Sequence, residues 1–282
     1  MGYRGFLLHI CLRSPTFVGF LFVECLVDLS NKRRKQMKHL TKMIMVLFFG
    51  ILWSQENPTI MRGGYDKILK GKDQAFEKNV AAHVKKWHGA DQWNQYGWRV
   101  ETGPRTGQYL IATLGHYWKD FDDRVTSKKH NKDWARITNS YIDDNNKYAG
   151  SLFWNLLPEL SYNSQPSPKI SVTFYYCKDN AFEAMLGIMG KLKQANEKAK
   201  IDVSYNVYKK EAGGPNDVIA VVSQIGGYRD MAPVSPSIKD RYIAAFGEEV
   251  WQADYTTWSN GVKWSETEIL TLIPEISTPS TE

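Results

Sequence analysis

Beyond residue 56 the chain carries four imidazoles, His83, His88, His116 and His130, and every one falls in its first half. Imidazole transfers protons near neutral pH and ligates transition metals, so these residues are where such chemistry would start. His116 and Trp118 stand two apart in an apolar run, which puts both on one face of a strand with Tyr117 opposite. His83 and His88 are five apart, a turn of roughly 140° around a helix, so the spacing does not predict a chelating pair of the i, i+4 kind. His130 lies in Ser127-Lys128-Lys129-His130-Asn131-Lys132, which reads as a solvated loop. No metal site is expected from these spacings, and no catalytic residue can be named.

Nine tryptophans follow residue 56, a heavy load for this length. Large rings with one N–H suit an apolar ligand cavity with a few polar points, and they suit a plain core, the commoner use of strand and helix residues, better still. Trp98, His116, Trp118 and His130 are the candidate pocket residues. Asp120, Asp122, Asp123 and the Asp143–Asn146 run lack the Gly and distal Glu of a calcium loop and read as solvated faces. Gly63-Gly64, Gly213-Gly214 and Gly226-Gly227 fit strand bulges and turns, not phosphate loops. G-x-S-x-G, H-E-x-x-H and C-x-x-C are absent.

The elements that must position these residues come in two similar sets. Lys72-Asp73-Gln74-Ala75-Phe76-Glu77 recurs as Lys178-Asp179-Asn180-Ala181-Phe182-Glu183, and Leu156-Leu157-Pro158-Glu159-Leu160-Ser161 recurs as Leu272-Ile273-Pro274-Glu275-Ile276-Ser277. Between them, Trp118-Lys119-Asp120 matches Tyr228-Arg229-Asp230. In the second copy Ile170, Val172, Phe174 and Tyr176 alternate with polar residues and Tyr175, predicting a half-buried strand. Phe182, Met185, Leu186, Met189 and Leu192 then predict a helix capped by Asp179. Strands over 201–209 and 218–225, helical stretches within 238–258 and a strand near 269–276 complete β-α-β-β-α-β. The first copy reads likewise: a strand over 61–69, a helix with Phe76, Val80, Val84 and Trp87 on one stripe, strands near 95–101 and 109–117, helix around 134–148, and a strand near 153–160.

The Lys-Gly-Lys-Asp-x-Ala-Phe-Glu stretch at 70–77, a strand and Gly turn leading into a helix, resembles the dimeric α/β-barrel superfamily, which includes antibiotic-biosynthesis monooxygenase-like and stress-responsive barrel proteins. The resemblance implies an α+β fold: two tandem ferredoxin-like repeats, 56–165 and 166–277, packed sheet to sheet as an intrachain α/β barrel, with a cavity between sheet and helices in each half. It implies no single activity, because members range from oxygenases and haem-handling enzymes to isomerases and proteins of no known activity. Haem-degrading members use an Asn, a strand Trp and a helix His; Trp118 followed by His130 offers that order, but no Asn lies in the first strand.

Charge and leader bear on location. The formal net charge is +6, and residues 1–55 contain eight of the 36 bases and two of the 30 acids, so 28 face 28 in the remainder. The folded part has no overall cationic surplus for a nucleic-acid backbone. Met37 to Lys42 followed by the apolar run Met43–Trp53 reads as a signal peptide, 37–55, starting at Met37, with 1–36 a doubtful extension and 278–282 a tail. Eleven apolar residues span only about half of a ~30 Å hydrocarbon core, so no membrane anchor is expected after cleavage. Cys177 alone follows the leader, which excludes an internal disulfide and leaves a buried, inert thiol. The sequence thus predicts an exported, periplasmic or secreted protein that binds a small apolar or aromatic ligand without a cofactor, with further self-association an open outcome. The competing expectation is an oxygenase-like or haem-handling enzyme.

Overall fold

Eight strands with alternating apolar residues each turn one face to a shared interior and the other toward helices. A computed structural model describes residues 57–89 and 93–279; the expected leader and the extension before it lie outside the described residues. The elements run β1 (Ile60–Asp66), α1 (Asp73–Trp87), β2 (Tyr96–Val100), β3 (Tyr109–His116), α2 (Trp118–Asp123), α3 (Lys128–Tyr141), β4 (Leu152–Leu156), β5 (Lys169–Cys177), α4 (Phe182–Ala199), β6 (Tyr205–Ala212), β7 (Val218–Ile225), α5 (Ile238–Phe246), α6 (Glu248–Gly261) and β8 (Val262–Leu272). Short 3-10 turns cover Tyr228–Met231 and Pro274–Ile276.

The strands close into one antiparallel barrel in the order β1-β3-β2-β8-β5-β7-β6-β4. Two four-stranded sheets were expected to face each other. They also join edge to edge, β2 to β8 with Trp98 opposite Leu272, and β4 to β6 with Asn155 opposite Lys209. Closure leaves no strand edge unpaired, which removes the commonest route to edge-to-edge aggregation.

Burial separates three layers. Inside the barrel, Tyr65, Leu110, Trp154, Val172, Phe174 and Leu270 form one cluster. Outside it, Phe76, Val80 and Val84 of α1 pack with Ile137 of α3 on Tyr109, while Met185 and Met189 of α4 cover Tyr205, Val207 and Ile219. The two Leu/Ile-Pro-Glu motifs cross between these layers. Leu157 packs beneath α4, and Ile276 packs beneath α1. Ile273 N bonds to Gly97 O at 2.9 Å, and Leu157 N to Val207 O at 2.8 Å. A Cβ at position 97 would overlap Ile276 Cδ1, so Gly97 is there for close approach.

Several boundaries differ from expectation, each for a local reason. Asp179 does not cap α4: Ala181 N bonds back to Lys178 O at 3.1 Å, Asn180 takes φ 65°, and the helix starts at Phe182. The helix expected over 134–148 is α3, which begins earlier because Ser127 Oγ accepts from His130 N at 3.1 Å. The strand expected at 201–209 is β6, starting at Tyr205, and the last strand ends at Leu272 because Pro274 opens a 3-10 turn.

Candidate functional site

Site-like chemistry among the described residues is found in the barrel interior, in a cavity beneath α4–α6 and in a group of rings at the end of α1. The interior holds a cavity of about 870 Å³. Met61, Trp98, Leu110, Trp154, Val172 and Phe174 line it, and loop residues 164–167 and 277–279 line its mouth. Trp98 lines this apolar, ligand-sized cavity, which lies inside the barrel and not between sheet and helices as the resemblance implied. Asn206 Oδ1 on β6 is buried at this cavity and has no hydrogen-bond partner among the described residues. An unpaired buried acceptor costs free energy unless something donates to it.

Charged residues close the far end. Arg105, from the loop between β2 and β3, lies over the rings of Tyr65 at 4.5 Å and Phe174 at 5.1 Å. Its Nε donates to Glu268 Oε2 at 3.0 Å, its NH2 to Glu266 Oε1 at 2.9 Å, and its backbone N to Glu268 Oε1 at 3.2 Å. Glu268 is 0% exposed. Burial pushes its carboxyl above the usual range, while Arg105 pulls it back. Gly103, at φ 87°, leaves room for this carboxylate, since a Cβ there would lie 2.8 Å from Glu268 Cγ. Burial likewise pushes the Tyr208 phenol at the cavity wall up to about 12.

A second cavity, about 700 Å³, lies between the outer faces of β5, β6 and β7 and the helices α4, α5 and α6, lined by Tyr175, Met189, Tyr205, Arg241, Tyr242 and Asp254. It is of the sheet-to-helix kind that the resemblance implies.

The other three candidates go elsewhere. His116 ends β3, is buried and stacks on Trp93 with ring centroids 3.9 Å apart, and it hydrogen-bonds Thr113. Trp118 does not share its strand face. Asp120 Oδ2 accepts from Tyr117 N at 2.8 Å, which starts α2 at Trp118 and leaves that ring 48% exposed. His130 is not in a loop but in the first turn of α3.

There it meets His83 and His88. His88 Nε2 lies 3.3 Å from His83 Nε2 and 3.4 Å from His130 Nε2. The expectation that residues five apart cannot share a centre fails because His88 is past the end of α1. As C-cap, with φ −132° and ψ 47°, it is off the helical spiral. The signals were present: Ser127 as cap, then His130, Trp134, Ile137 and Tyr141 at helical spacing on one stripe.

No protein family and no curated protein matches the chain. Solved structures do. A protein of Lactobacillus acidophilus NCFM, provisionally named a monooxygenase, superposes with TM-score 0.51 at 8% identity over 78% of this chain and 96% of its own. A second, of Fusobacterium nucleatum and likewise provisionally named, gives 0.50 at 11% identity over 77% and 94%. This chain has the dimeric α/β-barrel fold. A chlorite dismutase from Candidatus Nitrospira defluvii gives 0.47 at 11% identity over 78% and 93%, and no argument rests on it.

Dimeric α/β barrels that handle haem need an axial ligand beside a cavity. Among the described residues, the linings of these two cavities contain neither His nor Cys, and Trp118 and His130 line neither one. The residues around these two cavities do not fit haem in the arrangement the resemblance implies.

Proposed function

We propose that this protein binds a small aromatic molecule bearing one hydrogen-bond donor inside its barrel. The observation that carries the reading is the apolar interior of about 870 Å³, where Asn206 Oδ1 is a buried acceptor without a partner among the described residues. Apolar walls supply the affinity and a fixed polar point sets the orientation. The halves act as tandem copies of one unit, a reading supported by their matching motifs and by the matching bonds those motifs make across the barrel. The exported location rests on the apolar run Met43–Trp53, and N-terminal sequencing of the exported form tests it.

Titration with 2-naphthol, followed through tryptophan fluorescence, tests the binding. Trp98 and Trp154 line the cavity, so saturable 1:1 quenching is expected. Ala220→Phe, which projects a ring from β7 into the interior, weakens it in a chain whose circular dichroism is unchanged. Quenching that does not saturate, or that is undiminished in Ala220→Phe, overturns the reading.

A second reading, an oxygenase-like reaction on the bound ring, is favoured by the monooxygenase names of the two solved chains. Oxygen uptake that depends on the bound aromatic separates it from simple binding.

A further inference from the structure

Three ring nitrogens converge where α1 ends and α3 begins. His83 and His88 are buried and His130 is half-buried, and one nitrogen from each falls within 4.8 Å of the other two. What each ring does with its other nitrogen decides which atoms face the centre. His83 Nδ1 lies 2.8 Å from Asp133 Oδ2, His88 Nδ1 lies 2.5 Å from Trp93 O, and His130 Nδ1 lies 3.2 Å from Asn131 Oδ1. A carboxylate and a carbonyl accept only, so Nδ1 of His83 and of His88 carries the proton and donates it. The amide oxygen of Asn131 sets His130 the same way.

A neutral imidazole protonated at Nδ1 has only a lone pair at Nε2. The Nε2 atoms are the ones that meet, at 3.3 Å and 3.4 Å, with no proton to share between them. Lone pairs at that separation repel unless a cation lies between them. Tetrahedral zinc with Zn–N of about 2.0–2.1 Å requires ligand nitrogens about 3.3–3.4 Å apart; His88 stands at that spacing from both His83 and His130, and the third pair lies within 4.8 Å, close enough for a small shift of the half-buried His130 to complete the set. Asp133 behind His83 completes a carboxylate–histidine arrangement, and it is itself held by Trp87 Nε1 at 3.2 Å and Arg136 NH2 at 3.2 Å.

We infer that His83, His88 and His130 form a binding site for one divalent transition metal of the zinc class. Three imidazoles leave a fourth position for water, on the side where His130 reaches the surface. The metal ties the C-terminal end of α1 to the first turn of α3. This inference is independent of the ligand in the barrel, because none of the three histidines lines either cavity.

The test is calorimetric titration of the untagged, chelator-dialysed chain with Zn²⁺, and with Co²⁺ read by visible absorption. One equivalent binds, and Co²⁺ gives the intense bands of a tetrahedral site. Asp133→Asn weakens Zn²⁺ binding about 10–100-fold, and His130→Gln weakens it further, while His116→Gln binds as the parent does. His130 is half-buried on the outside of α3, so His130→Gln retains the fold, with circular dichroism as the check; Asp133→Asn gives a second reading that removes no ligand. Absence of saturable binding, or binding undiminished in His130→Gln, overturns the inference.

Discussion

Arg105 and Glu268 form an ion pair at the closed end of the barrel, Nε to Oε2 at 3.0 Å, with the carboxylate fully enclosed. Breaking such a pair from one side strands a buried charge. Arg105→Met is expected to lower stability by about 3–5 kcal/mol at neutral pH. The loss shrinks on acidification, as Glu268 takes up a proton, and the double variant Arg105→Met/Glu268→Gln recovers part of it. Urea denaturation at two pH values checks both statements.

Asp66 makes stability depend on pH in the opposite sense to an ordinary paired carboxylate. Burial raises its folded-state pKa from 3.8 to about 7. The folded form therefore holds a proton that the unfolded form has lost between these values, and stability falls as pH rises through that window. Asp66→Asn is expected to stabilise the protein by on the order of 2 kcal/mol at pH 8 and to change little at pH 4. Paired thermal melts of parent and variant decide it.

On the proposed binding function, Asn206 sets the polar preference of the barrel. Replacing it with Leu removes the orphaned acceptor and keeps the volume, so affinity for 2-naphthol should fall about 2–10-fold. Affinity for naphthalene, which has nothing to donate, should hold or rise. Equal losses for both compounds would place the ligand elsewhere.

Cys177 is buried under α4, and desolvation pushes its thiol up to about 11. Alkylation by iodoacetamide at pH 8 is expected to be slow in the native protein and fast in urea, because the thiolate is the nucleophile. Mass spectrometry of the peptide that carries Cys177 measures both rates.

Local periodicity was legible and long-range placement was not. Phe76, Val80 and Val84 are all buried where their stripe predicted, and Val172 and Phe174 face the interior as their alternation required. Trp118 was misplaced because parity was carried one residue too far: the Asp120 bond to Tyr117 N ends the strand reading. The imidazole group escaped because two of its members depend on caps. His88 leaves α1 as its C-cap, and His130 enters α3 three residues after Ser127. The repeated Leu/Ile-Pro-Glu motifs were visible as text, but nothing in one copy reveals that its partner surface belongs to the other.

Ile276 is fully buried among residues of the first half, and Ile276→Ala is expected to cost about 2–5 kcal/mol, read by denaturant unfolding.

Ser161 and Ser277 make this exchange reciprocal. Each hydroxyl donates back within its own half, to Leu157 O and Ile273 O at 2.8 Å, and accepts from the opposite half, from Val207 N at 3.0 Å and Gly97 N at 3.1 Å. The helices nearest the start of the described chain therefore lack their last packing partner until the far end has left the ribosome. Synthesis delivers an early half that waits with greasy surface showing, and the finished polypeptide should then lock up in one concerted transition instead of two.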